Sequence, residues 1–149
     1  MKVINLFKPP PLSARASFGA LILRLVVGLA FVFHGYGKIQ KPFGWMPDAS
    51  MPGVLQALAA IAEFGGGMVW MLGLLTPLAS FGLGCTMAVA VWTHAIAWQH
   101  PFVSTKGGPS FELAGAYLCV ALLLLLAGPG RFSVDRLIFG EKAGDGQST

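Results

Sequence analysis

The chain has 149 residues, which suffices for one domain, and 55% of them are hydrophobic while only 11% are charged. A mean hydropathy of +0.70 excludes an ordinary soluble domain and indicates a membrane protein. The net charge of +4 is carried mostly near the two ends of the chain. This distribution is typical of membrane topology and lipid-headgroup contact, and it gives no indication of nucleic-acid binding.

Residues 1–16 are predicted to approach the membrane as an extended segment, because the run Pro9-Pro10-Pro11 cannot be helical. Residues 17–37 are predicted to form the first span. This apolar run is too long for the core of a signal peptide, and no small-residue cleavage site follows it. Residues 38–53 contain three prolines and Trp45, and they are predicted to form a loop that folds back over the helix ends.

Three further apolar runs complete the predicted bundle. Residues 54–75 and 78–98 are separated by so short a connection that they must form an antiparallel helical hairpin, with Pro77 at the start of the second helix. Residues 111–127 follow a second loop and stop at Gly128-Pro129-Gly130, a strong helix terminator. Each run has about the 20 residues that cross a bilayer. The predicted fold is therefore an all-α integral membrane four-helix bundle, with residues 17–139 as one membrane domain.

The C-terminal part of the chain is predicted to lie along the membrane surface. Residues 133–139 combine apolar and basic side chains behind Ser133, which favours a short interfacial helix capped by that serine. Residues 140–149 are polar and are predicted to be a mobile tail. Four spans place both termini on one side, and that side carries more lysine and arginine than the opposite loops. The positive-inside rule therefore predicts cytoplasmic termini.

Two charged residues are predicted to meet in the middle of the bundle. At about 1.5 Å of rise per residue, Arg24 and Glu63 descend roughly 15 Å and 16 Å from the outer surface, so that they reach the same depth. Charges in hydrocarbon are costly and normally find partners. We therefore expect a buried Arg24–Glu63 ion pair, serving either as a structural clamp or as a mid-membrane binding group. The helices can approach closely there because small residues lie one turn away, namely Ala20, Gly28, Ala59 and Gly67.

A second polar layer is predicted at the outer ends of the helices. His34, Lys38, His94 and Glu112 come from three helices and fall at one depth, and Trp98 lies one turn beyond His94. Three functions fit these residues. They suit the head group of a quinone and the exchange of its protons. His34, His94 and Glu112 could instead bind a metal, although Lys38 argues against a dication. His34 and His94 could also ligate haem, for which the sequence has no other signature.

The remaining unusual residues are interpreted as structural. Cys85 and Cys119 lie in separate apolar runs without metal-ligand spacing and are expected to be packing residues. Trp70, Trp92 and Tyr117 are expected in the core or in an interfacial belt. The Gly65-Gly66-Gly67 run is best explained by close helix packing.

The ordered motifs resemble those of the DoxX family of small four-helix membrane proteins. These motifs are L-x-L-R-L-x-x-G-x-x-F-x-x-H-G-x-x-K in the first span, A-x-x-E-F-x-G-G-x-x-x-x-x-G-L-L-T-P in the second, and G-P-G-R-F-S-x-D-R after the fourth. The resemblance covers roughly residues 21–137. The matched positions include the six polar residues of the two layers. The first loop departs from the family pattern, because Pro42 to Pro47 replace a glycine-rich stretch.

This resemblance implies a bacterial inner-membrane protein, and some members are associated with quinone-linked oxidation or membrane redox complexes. The leading interpretation is a quinone-linked redox protein, or the membrane subunit of such a system, with a quinone as its cofactor. Because the sequence contains no electron carrier, a protein partner is implied. The alternative is a non-catalytic accessory subunit of a larger membrane complex, in which the polar layers serve folding.

Overall fold

The computed structural model describes residues 10–47 and 51–140, which fold entirely into helices and connecting turns. The helices are α1 (Ala14–Gln40), α2 (Gly53–Leu72), α3 (Thr76–Trp92), α4 (Glu112–Ala127) and α5 (Val134–Phe139), and a π-helical turn (Thr93–Ala97) continues α3. The predicted all-α bundle is confirmed.

The bundle begins earlier than the sequence predicts. The Ser13 hydroxyl accepts the N–H of Ala16 at 3.2 Å and caps α1, which starts at Ala14, three residues after Pro11. The prediction of an extended segment is therefore wrong for residues 14–16. The rest of that prediction up to residue 9, and the predicted mobile tail from residue 141, lie outside the described residues.

Three of the described helical segments are long and apolar enough to cross a membrane, namely α1, α2 and α3 with its π-helical turn. Helix α4 is apolar but has only 16 residues. At the usual rise it extends about 24 Å, which is somewhat less than the thickness of a bilayer's hydrocarbon core. The predicted fourth span is thus a shorter apolar helix.

Helices α1 and α2 pack with almost no side chain between them. A Cβ atom built on Gly28 would lie 2.7 Å from the carbonyl oxygen of Gly67, and one on Gly67 would lie 2.6 Å from the carbonyl oxygen of Gly28. Only glycine permits this approach. The predicted role of the small residues in close packing is therefore confirmed at these two positions. Gly65 differs, because a Cβ there would meet nothing within 4 Å.

The core lies where α1, α2, α3 and α4 meet. Trp70 is fully buried and donates from Nε1 to the Ser80 hydroxyl at 2.9 Å. The Phe31 ring meets Trp70 edge-on at 5.6 Å and packs on Tyr117 of α4 at 4.9 Å. Buried tryptophan normally pairs its N–H in this way. The core interpretation of Trp70 is confirmed.

Both cysteines lie on the outside of the bundle. Cys85 and Cys119 are free thiols with exposed side chains. The Trp92 ring is exposed as well. The expectation that the cysteines pack in the core is wrong, because a helix that is apolar all round gives no periodic signal for which face is buried.

The two ends of the described chain meet at one end of the bundle. The N–H of Arg131 donates to the Ser17 hydroxyl at 3.1 Å, and its Nε donates to the carbonyl of Leu12 at 2.8 Å. Ser133 accepts the N–H of Arg136 at 3.2 Å, which confirms the predicted cap of α5. We call the end of the bundle that holds Ser17, Arg131 and Ser133 the chain-end face. The loop after α1 and the π-helical turn of α3 lie at the opposite end.

Candidate functional site

A buried ion pair joins α1 to α2 at the end opposite the chain-end face. Lys38 Nζ donates to both carboxylate oxygens of Glu63, at 2.6 and 2.7 Å. The Glu63 side chain is 3% exposed and that of Lys38 is 25% exposed. A buried carboxylate is strongly destabilising without a partner, and Lys38 supplies that partner.

The predicted Arg24–Glu63 pair is wrong, and the direction of the side chains explains why. In an α-helix every Cα–Cβ bond tilts towards the N-terminus. Since α1 and α2 are antiparallel, Lys38 leans from the end of α1 towards the bundle centre, whereas Glu63 leans from α2 towards that end. Arg24 leans the other way, towards the chain-end face. Equal depth of the Cα atoms therefore did not bring Arg24 and Glu63 together.

Arg24 instead holds the C-terminal segment to the bundle. Its side chain is buried, and Nη1 and Nη2 donate to the carbonyl oxygens of Pro129 at 2.6 Å and Phe132 at 2.7 Å. Gly73 makes room for the guanidinium, because a Cβ there would lie 2.6 Å from Nη1. Gly73 also has φ of +66°, which favours glycine independently.

Asp135 completes this arrangement from α5. It is fully buried, and its two carboxylate oxygens accept the N–H groups of Leu75 at 2.6 Å and Thr76 at 2.8 Å. Its own N–H donates to the carbonyl of Gly73 at 2.8 Å. Asp135 thereby caps the start of α3 from another part of the chain. The G-P-G-R-F-S-x-D-R motif is thus a structural clasp.

An open pocket of about 610 Å³ adjoins the ion pair. Helix α1 contributes Phe33, His34, Gly37 and Lys38, and the following loop contributes residues 41, 44, 45 and 47. His34 is exposed to this pocket, and its ring also meets Tyr117 edge-on at 6.2 Å. The pocket combines an ammonium, an imidazole and aromatic walls, which is a composition that suits a small polar ring.

The loop after α1 folds back over the helix ends, as predicted, and lines the pocket. The Trp45 ring stacks against Lys38 Nζ, 4.4 Å from the ring centre, and Trp45 Nε1 donates to the carbonyl of Gln56 at 2.9 Å. The buried Gln56 side chain accepts the N–H of Met46 at 2.9 Å and donates to the carbonyls of Met46 and Met51. Gln56 thus fixes this loop as one wall of the pocket.

His94 belongs to a separate aromatic cluster at the same end of the bundle. Its Nδ1 lies 3.0 Å from Nδ1 of His100, so that one ring donates and the other accepts. Trp98 packs against His94 with ring centres 4.8 Å apart, as their one-turn spacing predicts. The π-helical turn places these rings together, and the N–H of His100 donates to the carbonyl of His94 at 2.8 Å.

The four residues of the predicted outer layer therefore divide into two groups. His34 and Lys38 line the pocket, whereas His94 pairs with His100. Glu112 is exposed at the start of α4, where its N–H donates to the carbonyl of Phe102 at 3.0 Å. Among the described residues no three His, Cys, Asp or Glu side chains are grouped as a metal would require. The arrangements considered for metal and for haem both needed His94 beside His34, and the described contacts of His94 lie elsewhere.

Sequence reasoning missed four residues of these groups. These residues are His100, which pairs with His94; Gln56, which fixes the loop; Gly73, which makes room for Arg24; and Asp135, which caps α3. Asp135 could have been recognised, because an acidic residue inside an apolar, basic interfacial segment needs buried donors. His100 could not, since the π-helical turn that brings it to His94 breaks the 3.6-residue period.

Comparison with known proteins gives consistent relationships. The DoxX family model matches residues 19–95. The chain is 32% identical over 124 residues to the "Inner membrane protein YqjF" of Escherichia coli strain K12, covering 80% of this chain and 92% of that protein. It is 27% identical over 131 residues to the "Putative oxidoreductase CatD" of Bacillus subtilis strain 168, covering 85% and 92% respectively. No solved structure matches significantly.

Proposed function

We propose that this protein, which belongs to the DoxX family, is a quinone-linked redox protein of the bacterial inner membrane or the membrane subunit of such a system. The single observation that carries the proposal is the pocket beside the Lys38–Glu63 pair. The name of the Bacillus subtilis relative, "Putative oxidoreductase CatD", supports the reaction class.

The residues of the pocket fit a quinone head group. A pocket of about 610 Å³ lies within the usual range for small-molecule sites. A quinone ring is flat and apolar, with two carbonyl oxygens that accept hydrogen bonds. Phe33 and Trp45 offer apolar surface. Lys38 has three N–H donors, two of which bind Glu63, so one remains for a carbonyl oxygen.

The protein's part in the reaction is the handling of protons. A bound quinone would supply two-electron chemistry, in which conversion to the quinol takes up two electrons and two protons. His34, exposed in the pocket, is positioned to hold or release a proton at a ring nitrogen. Lys38 holds its proton at Nζ between the two Glu63 oxygens, and this charge favours electron density on a nearby carbonyl oxygen.

The remaining polar residues at this end have a second role in the proposal. His94 with His100, and Glu112 at the start of α4, lie at the same end of the bundle as the pocket. We assign them to proton exchange with the aqueous side that this end faces. The electrons come from a partner protein that forms a membrane complex with this protein. Both termini are proposed to be cytoplasmic, so that the pocket opens outwards.

The accessory-subunit alternative rests on a different observation. Each buried charge has internal partners: Glu63 has Lys38, Asp135 has backbone N–H groups, and Arg24 has carbonyl oxygens. Such pairing is also what a purely structural bundle requires. Under this alternative the protein would assemble stably with a larger membrane complex, and changes in the pocket would leave the activity of that complex intact.

Quinone binding in lipid nanodiscs distinguishes the two functions. Titration with a short-chain ubiquinone or menaquinone should quench the fluorescence of Trp45 in a saturable way, and Trp45→Phe should remove that part of the signal. His34→Ala, an exposed position, should weaken binding several-fold without changing thermal stability. Lys106→Gln in the second loop is the matched control, and it should bind as the wild type does. Saturable quenching that survives His34→Ala and Trp45→Phe would reject the pocket as the site.

A further inference from the structure

The chain-end face carries a second groove, distinct from the pocket at the other end. It lies between the end of α2 and the segment leading into α5, and it has a volume of about 380 Å³. Its walls are formed by Leu72, Arg131, Phe132, Ser133, Val134 and Leu137. The groove is therefore mostly apolar with one guanidinium group.

The apolar walls are not covered by the rest of the chain that the structure describes. Leu137 is 84% exposed, and Leu72 and Phe132 are each more than half exposed. All three candidate membrane spans begin or end at this face. An apolar groove at that level is in reach of lipid acyl chains.

The charge around the groove has one sign. Arg15 and Arg131 are exposed and Arg136 is half-buried. Asp135, the acidic residue described at this face, is fully buried and accepts backbone N–H groups. The other described acidic residues, Glu63 and Glu112, lie at the opposite end. The described part of this face therefore presents positive charge to an anionic ligand without a competing exposed carboxylate.

Arg131 is held in place at the edge of the groove. Its N–H donates to Ser17, and its Nε donates to the carbonyl of Leu12. The first bond ties the residue to α1 and the second ties it to the segment just before α1, so the guanidinium is positioned before any ligand arrives. A guanidinium fixed in this way suits the oxygens of a phosphate diester.

We propose that this groove binds one anionic phospholipid, with the phosphate at Arg131 and an acyl chain along Leu72, Phe132 and Leu137. Two features favour a phospholipid over a soluble phosphate. The walls are apolar, and the groove lies at the end of the bundle where all three candidate membrane spans begin or end. The anionic headgroup is favoured over a zwitterionic one because the surrounding charge is positive.

Native mass spectrometry of the full chain tests this proposal. The protein is released from maltoside micelles containing equal amounts of dioleoyl phosphatidylglycerol and dioleoyl phosphatidylcholine, which differ in mass. The singly lipid-bound wild type should carry phosphatidylglycerol about fivefold more often, as expected for one arginine at a membrane surface. Arg131→Gln should reduce this preference to near one, whereas Arg131→Lys should retain most of it.

Two matched variants and one soluble competitor make the test specific. Arg15→Gln removes an equal charge from the same face outside the groove and should retain the preference. Leu137→Gln should lower the total amount of bound lipid, since it removes apolar wall from an exposed position. Glycerophosphoglycerol, the headgroup without acyl chains, should not displace the lipid. The proposal is overturned if the wild type shows no preference, if Arg15→Gln loses as much as Arg131→Gln, or if the free headgroup displaces the lipid.

Discussion

Lys38 and Glu63 form a two-pronged ion pair between α1 and α2, with Nζ at 2.6 and 2.7 Å from the carboxylate oxygens. Arg24, on the same helix as Lys38, binds backbone carbonyls at the other end of the bundle. Helix α1 thus carries two cationic side chains, Lys38 and Arg24, that have different structural roles. The first holds a carboxylate beside the pocket, and the second fastens the C-terminal clasp.

Lys38→Met should destabilise the fold by about 2–4 kcal/mol, because it leaves the Glu63 carboxylate buried without a partner. The double change Lys38→Met, Glu63→Met should recover more than half of that loss, since no buried charge remains. A double-mutant cycle of unfolding free energies in mixed micelles measures the coupling. Strictly additive single effects would show that the two side chains do not stabilise each other.

Arg24→Leu should also destabilise the fold, by about 3–5 kcal/mol, because the carbonyls of Pro129 and Phe132 lose a buried charged donor. This loss should be independent of Glu63. In the cycle with Glu63→Gln the two effects should add within about 0.5 kcal/mol. If a change at Glu63 instead rescued the stability of Arg24→Leu, that result would support the Arg24–Glu63 ion pair predicted from equal helix depth.

Gly67→Ala should weaken the contact between α1 and α2, whereas Gly65→Ala should not. A Cβ on Gly67 would lie 2.6 Å from the carbonyl oxygen of Gly28 and 2.9 Å from the N of Val32, and neither backbone atom can move easily. The expected cost is about 1–3 kcal/mol. A Cβ on Gly65 would meet nothing within 4 Å, so alanine at that residue should be neutral or slightly stabilising. Thermal unfolding of the pair checks this, and equal shifts would contradict the packing described here.

Asp135→Ala should destabilise the start of α3 by about 1–3 kcal/mol, because the N–H groups of Leu75 and Thr76 lose their acceptors. Asp135→Asn keeps one acceptor oxygen of the two and should cost less. Hydrogen exchange followed by mass spectrometry should show faster exchange at residues 75 and 76 in both variants, most in the alanine variant. Unchanged exchange there would mean that the carboxylate is not the cap of α3.

The sequence predicts the helices of this protein well, because long apolar runs broken by proline and glycine leave little choice of fold. It predicts the ends less well. Helix α1 begins at Ala14 because the Ser13 hydroxyl caps it, and the hydropathy pattern is silent about caps. The two cysteines were placed wrongly because apolar spans have no polar face from which to read orientation.

The pairing of polar residues is harder to predict than their depth. Depth follows from residue number alone, and it correctly assigned Lys38 and His34 to one end of the bundle. The partners of a polar side chain depend also on the direction in which that side chain leans. Because of this direction, Glu63 binds Lys38 and does not bind Arg24. His100 meets His94 only through a π-helical turn, an irregularity that no periodic pattern contains.

The central claim, a quinone head group in the pocket of α1 and its following loop, is tested most directly by photolabelling. A photoreactive quinone analogue, applied to the protein in nanodiscs and mapped by mass spectrometry, should label residues 33–47. Excess unlabelled quinone should suppress that labelling, and His34→Ala should reduce it. Labelling confined to residues 93–100 or to the chain-end face, or labelling that unlabelled quinone does not suppress, would contradict the claim.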